Sequence, residues 1–188
     1  MVVRPASLVF LHQRFLSLIQ IVPASVADIP EIDGLLDGGF GPARRNRTAY
    51  RLRDNISPLP ALSFVARDGD ALVGSLQCWP LQLRGVSGTA QPLTLLGPVI
   101  SAAEWQGQGI GTRLMNAALA ACDVQGLPPM LLIGDVPFYG RFGFCATATG
   151  GWNLPGPVDR ARLLLRGDAS LLPAIGWVEA RDSVRRAA

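Results

Sequence analysis

The sequence predicts a mixed α/β (α+β) fold in which an antiparallel N-terminal half leads into one parallel βαβ unit. Three observations carry that prediction. Asp68-Gly69-Asp70 separates two apolar runs, and an Asp-Gly between such runs is a hairpin signal. The stretches Leu93–Ser101, Gly109–Cys122 and Met130–Ile133 read as strand, amphipathic helix and strand. Over that length the three make a right-handed parallel crossover. Pro98 lies inside the first of these strands. Proline cannot donate to a ladder, so pairing breaks partway and the far end of the strand splays, its backbone groups free.

Composition bounds the function. A chain of 188 residues with 49% hydrophobic and 16% charged residues is a globular domain with a core of its own. A net charge of +3, with no long Lys/Arg block, argues against a nucleic-acid partner. The three cysteines, Cys78, Cys122 and Cys145, form neither a metal knuckle nor a disulfide framework. That implies reduced thiols, a cytoplasmic protein and no metal. The apolar stretch from Leu8 to Val22 is interrupted by His12, Gln13, Arg14 and Gln20, so no membrane span is expected. It also lacks a small-residue cleavage site, so residues 1–17 read as an extension ahead of the domain. The domain is expected over 18–178, with a tail over 179–188.

Leu18–Pro23 reads as a first strand closed by proline. Ser25 is a fitting N-cap with Asp28 in the first turn. Val26, Ile29, Ile32 and Leu36 give a short amphipathic helix that Gly38, Gly39 and Gly41 stop. Arg44–Asp54 holds five arginines and reads as a second helix. Its charge is either a solvated face or a basic wall that attracts an anionic acceptor. Leu62–Arg67 and Ala71–Cys78 are the hairpin strands, and Leu81–Gln91 is expected to be a turn. In Gly109–Cys122, Ile110, Leu114, Ala117, Ala118 and Ala121 share one face. Asp135 can cap a short helix with Pro137 in its first turn. Gly150 to Pro157 is expected to be irregular, Arg160–Arg166 a strand, and 168–177 a loose closing segment.

The chemistry centres on Gln106-Gly107-Gln108-Gly109-Ile110-Gly111-Thr112, between a strand and a helix start. The first N–H groups of a helix lack intrahelical partners, and the helix dipole adds partial positive charge there. Glycines let an anion approach the backbone, so the loop reads as a phosphate cradle. A nucleotide P-loop needs Gly-Lys-Ser/Thr, and the loop has no lysine. A dinucleotide fingerprint needs Gly-x-Gly-x-x-Gly, whereas the spacing is Gly107-x-Gly109-x-Gly111.

Gln106-x-x-Gly109-x-Gly111 after a strand resembles the acyl-CoA pyrophosphate loop of the GNAT superfamily of N-acyltransferases. The run from Phe138 to Phe144, an aromatic pair followed by Gly-Phe, is similar to that family's second signature. The resemblance covers residues 18–178. It implies a mixed, mostly antiparallel twisted sheet with a central parallel βαβ unit, splayed at the acyl-CoA site. It also implies acetyl-CoA as co-substrate and an amine acceptor, on a small molecule or a protein. Homodimers are common in the family. Val99, Ile100 and Ser101 would pair with the pantetheine arm. The amides of Gly107, Gln108, Gly109, Ile110, Gly111 and Thr112 would hold the pyrophosphate, with Gln106 closing the loop.

Attack of an amine on a thioester expels a thiolate, to which a phenol can donate a proton. The resemblance gives Tyr139 that role, by direct transfer in a ternary complex. A backbone N–H near Val99–Ser101 would polarise the carbonyl. The strand Leu93–Ser101 carries no acid. The general base is therefore open, with Glu104 and Asp135 nearest in sequence and both equally structural. Cys145 has no histidine partner for acyl-cysteine chemistry and reads as a buried small residue. The alternative to an enzyme is a non-catalytic acyl-CoA-binding sensor.

Overall fold

The computed structural model describes residues 19–181. Its frame is a sheet of β1 (Gln20–Pro23), β2 (Phe64–Asp68), β3 (Ala71–Gly85), β4 (Ala90–Ser101), β5 (Met130–Ile133), β6 (Gly151–Asn153), β7 (Leu163–Arg166) and β8 (Ile175–Ala180). The order is β1-β2-β3-β4-β5-β7, with β8 along the second half of β3 and β6 beside β8. Pairing is antiparallel except for β4–β5 and β6–β8. The helices are α1 (Ile29–Phe40), α2 (Thr48–Arg51), α3 (Ile110–Gln125) and α4 (Val136–Tyr139).

Strand alternation decides which layer each residue joins. In β5, Met130 and Leu132 face α3, where Ile110, Leu114, Met115, Ala118, Leu119 and Cys122 are buried. Leu131 faces the other way, into a cluster with Leu93, Leu95, Trp152 and Leu163. A third cluster seats Ile32 and Leu36 of α1 on Val65 and Ile100. Helices and loops thus cover both faces of the sheet. The run Met130–Ile133 is apolar throughout because neither of its faces meets water.

The sheet opens where Pro98 predicted. β4 pairs with β5 only at Thr94 and Leu95. Beyond them Gly97 and Pro98, joined by a cis peptide, stand against the single residue Gln77 of β3, a bulge. Past the bulge β4 still pairs with β3, Leu76 with Val99 and Gly74 with Ser101. Its other edge has no strand beside it among the described residues.

Several elements differ from the sequence reading. Leu81–Gln91 is not a turn, because β3 continues to Gly85, β4 starts at Ala90 and only residues 86–89 reverse the chain. Leu81 and Leu83 alternate with Gln82 and Arg84, a half-buried strand pattern. α1 passes through Gly38 and Gly39 and ends at Gly41, φ +74°. A Cβ on Gly39 would lie 2.4 Å from Ile100 Cδ1, so the helix packs there through a missing side chain. Arg44–Asp54 is a 3₁₀ turn and the single turn of α2, not one helix. Arg44 is buried, bonding Asp33, Asp37 and Tyr50, so side-chain bonds to α1 shape this segment. Residues 151–153 and 175–180 are strands, not irregular or loose chain. β8 lies close on β3 because Gly176 lets it: a Cβ there would sit 2.5 Å from Arg84 O. Glu179 and Ala180, expected in the tail, pair with Gln82 and Leu81. The strand expected over Arg160–Arg166 starts at Leu163 after a 3₁₀ turn. Leu18, the 1–17 extension and residues 182–188 lie outside the described residues.

The capping residues read from the sequence meet as expected. Asp28 accepts from the Ser25 N–H at 2.6 Å and the Ser25 hydroxyl at 2.8 Å, and pairs with Arg67 at 2.5 Å. Burial works against the charged carboxylate, but these donors together hold its pKa below the ordinary value. A depressed folded pKa contributes stability above the unfolded value that is lost as pH falls through the folded one. Asp28→Ala is expected to lower unfolding free energy by about 2 kcal/mol at neutral pH. The difference from wild type should shrink in acid. Urea melts at pH 7 and pH 3 check both; an equal deficit at the two pH values would refute the linkage.

Candidate functional site

The open edge of β4 and the start of α3 share a cleft of about 560 Å³. Val99, Ile100, Ser101, Gln106, Gly107, Gly109, Ile110, Gly111, Thr112 and Tyr139 all line it. Gln108 does not: its N–H donates to Trp105 O and its side chain to Glu104 O, inside the loop. The N–H groups of Gly107, Gly109, Ile110, Gly111 and Thr112 have no backbone acceptor among the described residues. Gly107 and Gly109 hold φ values of +77° and +78°, which a side chain would resist. Gly111 is helical, with Phe138 and Val99 close by. Two glycines therefore shape the loop, whereas a Cβ on the third would meet only ordinary contacts.

The hydrogen-bond phase of β4 fixes what the open edge offers. Ala102 N–H donates to Val73 O. Bonded pairs alternate along an antiparallel ladder, so Ile100 bonds Ser75 and the residues between them turn outward. The N–H and C=O groups of Val99 and Ser101 thus point away from β3, along the free edge. That edge and the five amides together match an extended, hydrogen-bonding chain that ends in an anion.

Tyr139 stands at the cleft wall, its ring 4.8 Å from that of Phe138 at 82° and 6.3 Å from that of Phe144. Burial raises its pKa, the Asp135 carboxylate adds to the rise and Arg162 opposes it. The phenol is therefore held in its protonated, donating form. Gly134 makes room for the ring: a Cβ there would lie 2.2 Å from Tyr139 Cε2. A glycine closing an apolar strand ahead of the aromatic pair was the available signal. Trp105 and Arg141 also line the cleft unforeseen. The Arg141 guanidinium bonds Thr112 Oγ1 at 2.9 Å and lies 4.4 Å over Phe138, adding a cation near the amides.

A second cleft of about 740 Å³ lies on the other side of Tyr139 and shares Val99, Asp135 and Tyr139 with the first. Asp135 pairs with Arg162 at 3.0 Å. Glu104 lines neither cleft and borders a groove under α1 instead. Cys145 is exposed, not buried as expected, and hydrogen bonding with Thr147 lowers its thiol pKa. No group of three metal-ligating side chains occurs among the described residues, nor does a helix long and apolar enough to cross a membrane.

Comparison with known proteins gives the family. Residues 20–146 match the acetyltransferase (GNAT) domain model. An uncharacterized N-acetyltransferase of Streptomyces avermitilis is 31% identical over 101 residues, which are 53% of this chain but only 24% of that protein. N-alpha-acetyltransferase 30 of Schizosaccharomyces pombe is 30% identical over 137 residues, 68% of this chain and 85% of that protein. Among solved structures, the Escherichia coli GNAT N-acetyltransferase YhbS in complex with CoA superposes at a TM-score of 0.68. It is 23% identical and covers 87% of this chain and 89% of its own. A GNAT acetyltransferase from Brucella melitensis in complex with acetyl-CoA gives 0.56 at 25% identity, over 81% and 98%. With the splayed sheet, the amide cradle and a domain match across two thirds of its length, the chain belongs to the GNAT family of acetyltransferases.

Proposed function

We propose that the protein transfers an acetyl group from acetyl-CoA to an amine by direct attack, with donor and acceptor bound together. The observation that carries this reading is the departure of β4 from β5 after Leu95, which sets a free strand edge beside the unpartnered amides. The outward C=O of Val99 and the outward groups of Ser101 hold the pantetheine amides as a strand would. The amides of Gly107 and Gly109–Thr112 hold the pyrophosphate, assisted by Arg141. The thioester supplies the activated acetyl group where the two clefts meet.

At that junction the Val99 N–H polarises the carbonyl, an oxyanion donor fixed in advance by the sheet. The amine nitrogen bonds to the acyl carbon as the carbon–sulfur bond breaks. Tyr139 gives its proton to the departing sulfur. The amine's proton leaves to solvent or to Asp135, the one of the two carboxylates named from sequence that borders both clefts. Calorimetry with CoA and thiol release from acetyl-CoA with an amine panel test the reading. Saturable CoA binding with amine-dependent release is expected. Tight CoA binding without turnover on any amine would make the protein an acyl-CoA sensor, and no CoA binding would refute both readings.

A further inference from the structure

Resting on that reading, we infer that the acceptor is a small amine carrying a carboxylate or phosphate, held by Arg47 and Arg53 in the second cleft. The charge census of that cleft is one-sided. It is lined by Arg47, Arg51, Arg53 and Arg162 against Asp135 and Asp159. Asp135 is taken by Arg162, and Asp159 accepts the N–H of Ala161. Arg47, Arg51 and Arg53 have no carboxylate within ion-pair distance among the described residues, whereas nearby Arg44 and Arg45 both pair with Asp37. Arg53 is the telling one. It is only 8% exposed, its guanidinium stacks 3.6 Å over Tyr50, and its Nε donates to Ala49 O at 3.1 Å. A buried cation without a counter-ion is costly. This one is fixed in place at the cleft wall, where an anion arriving from outside would complete it. Arg47, over the Phe40 ring at 5.3 Å, offers a second, exposed fork.

The shape of the cleft argues for a small acceptor. Thr48 Oγ1 donates to Pro157 O at 2.6 Å and Arg51 to Pro155 O at 2.9 Å. Gly156 sits so close that a Cβ would lie 2.6 Å from Thr48 Oγ1. The Pro155–Pro157 loop is thus clamped onto α2, and Pro157 lines the cleft. A volume of about 740 Å³ suits a metabolite-sized ligand. Arg51 works as part of that clamp, and Arg47 and Arg53 are left for the anion.

The test uses matched acceptors: O-phosphoethanolamine against ethanolamine, glycine against glycinamide, and a peptide with an acidic N-terminus. Thiol release from acetyl-CoA gives kcat/KM for each. The charged member of at least one small pair should be favoured by at least about tenfold. Arg47→Gln should erase about tenfold of that preference, mainly through KM. Arg53→Lys, which keeps the buried charge, should lose part of it, and Arg45→Gln none. Equal rates within both pairs would overturn the acceptor class and leave the transferase reading standing, as would preferential turnover of the peptide. A turnover-free arm titrates CoA-saturated protein with inorganic phosphate. Binding that Arg47→Gln weakens supports the anion site even if no amine reacts, and absence of phosphate binding in an inactive protein overturns it.

Discussion

Gly109→Asp is expected to weaken CoA binding at least about a hundredfold while leaving the protein folded. Gly109 is the N-cap of α3 with φ +78°, and nothing lies within 4 Å of where its Cβ would be. Aspartate is among the few side chains that enter the left-handed region, at a cost of about 1 kcal/mol. The new carboxylate would stand among the amides of Gly107 and Ile110–Thr112. There it would accept their hydrogen bonds itself and repel a doubly charged pyrophosphate. Hydrogen bonds to charged groups are worth about 1.5–3 kcal/mol each, so losing one or two accounts for the expected loss. Gly109→Asn, with the same backbone demand and no charge, should fall between the mutant and wild type. Calorimetric Kd values for CoA, with thermal melts to confirm folding, decide the matter. An unchanged Kd in Gly109→Asp would mean that the amides are not the pyrophosphate site.

What the sequence disclosed about this site follows from which residues carry local signals. The loop was legible because its glycines mark a backbone demand, and Pro98 because a missing donor interrupts pairing wherever it falls. Tyr139 was legible only beside its aromatic neighbours and Gly143. By contrast Arg53 and the clamp of Thr48 on Pro157 have no local signature, and the glycine at 134 shows in the sequence without its role. They become meaningful when chain segments more than a hundred residues apart in the case of Thr48 and Pro157, or a strand end and a helix turn in the case of Gly134, come together. The same reasoning covers the misread elements. The Arg44–Asp54 segment looks helical by composition, but tertiary bonds from the buried Arg44 to Asp33, Asp37 and Tyr50 set its path. β8 was obscured because half of its inward face is a glycine, Gly176, whose small size is what lets β3 approach.

Tyr139→Phe is expected to lower kcat about a hundredfold without changing the Kd for acetyl-CoA. Phenylalanine keeps the ring contacts with Phe138 and Phe144, so the cleft survives and only the hydroxyl is lost. The thiolate must then leave without a proton from the protein. Because burial raises the Tyr139 pKa, the alkaline fall in kcat should lie above the ordinary phenol value of 10.0 in wild type and be absent in the mutant. Gly134→Ala probes the same phenol without replacing it. Its Cβ would lie 2.2 Å from Tyr139 Cε2, so the ring must turn away from the junction of the clefts. In wild-type background this should cost at least about tenfold in kcat. In the Tyr139→Phe background it should cost almost nothing further, because a displaced ring without a hydroxyl has no proton to misplace. Additive losses in the double mutant would show that Gly134 acts on stability or on CoA rather than through Tyr139. Full activity of Tyr139→Phe would remove the phenol from the mechanism altogether.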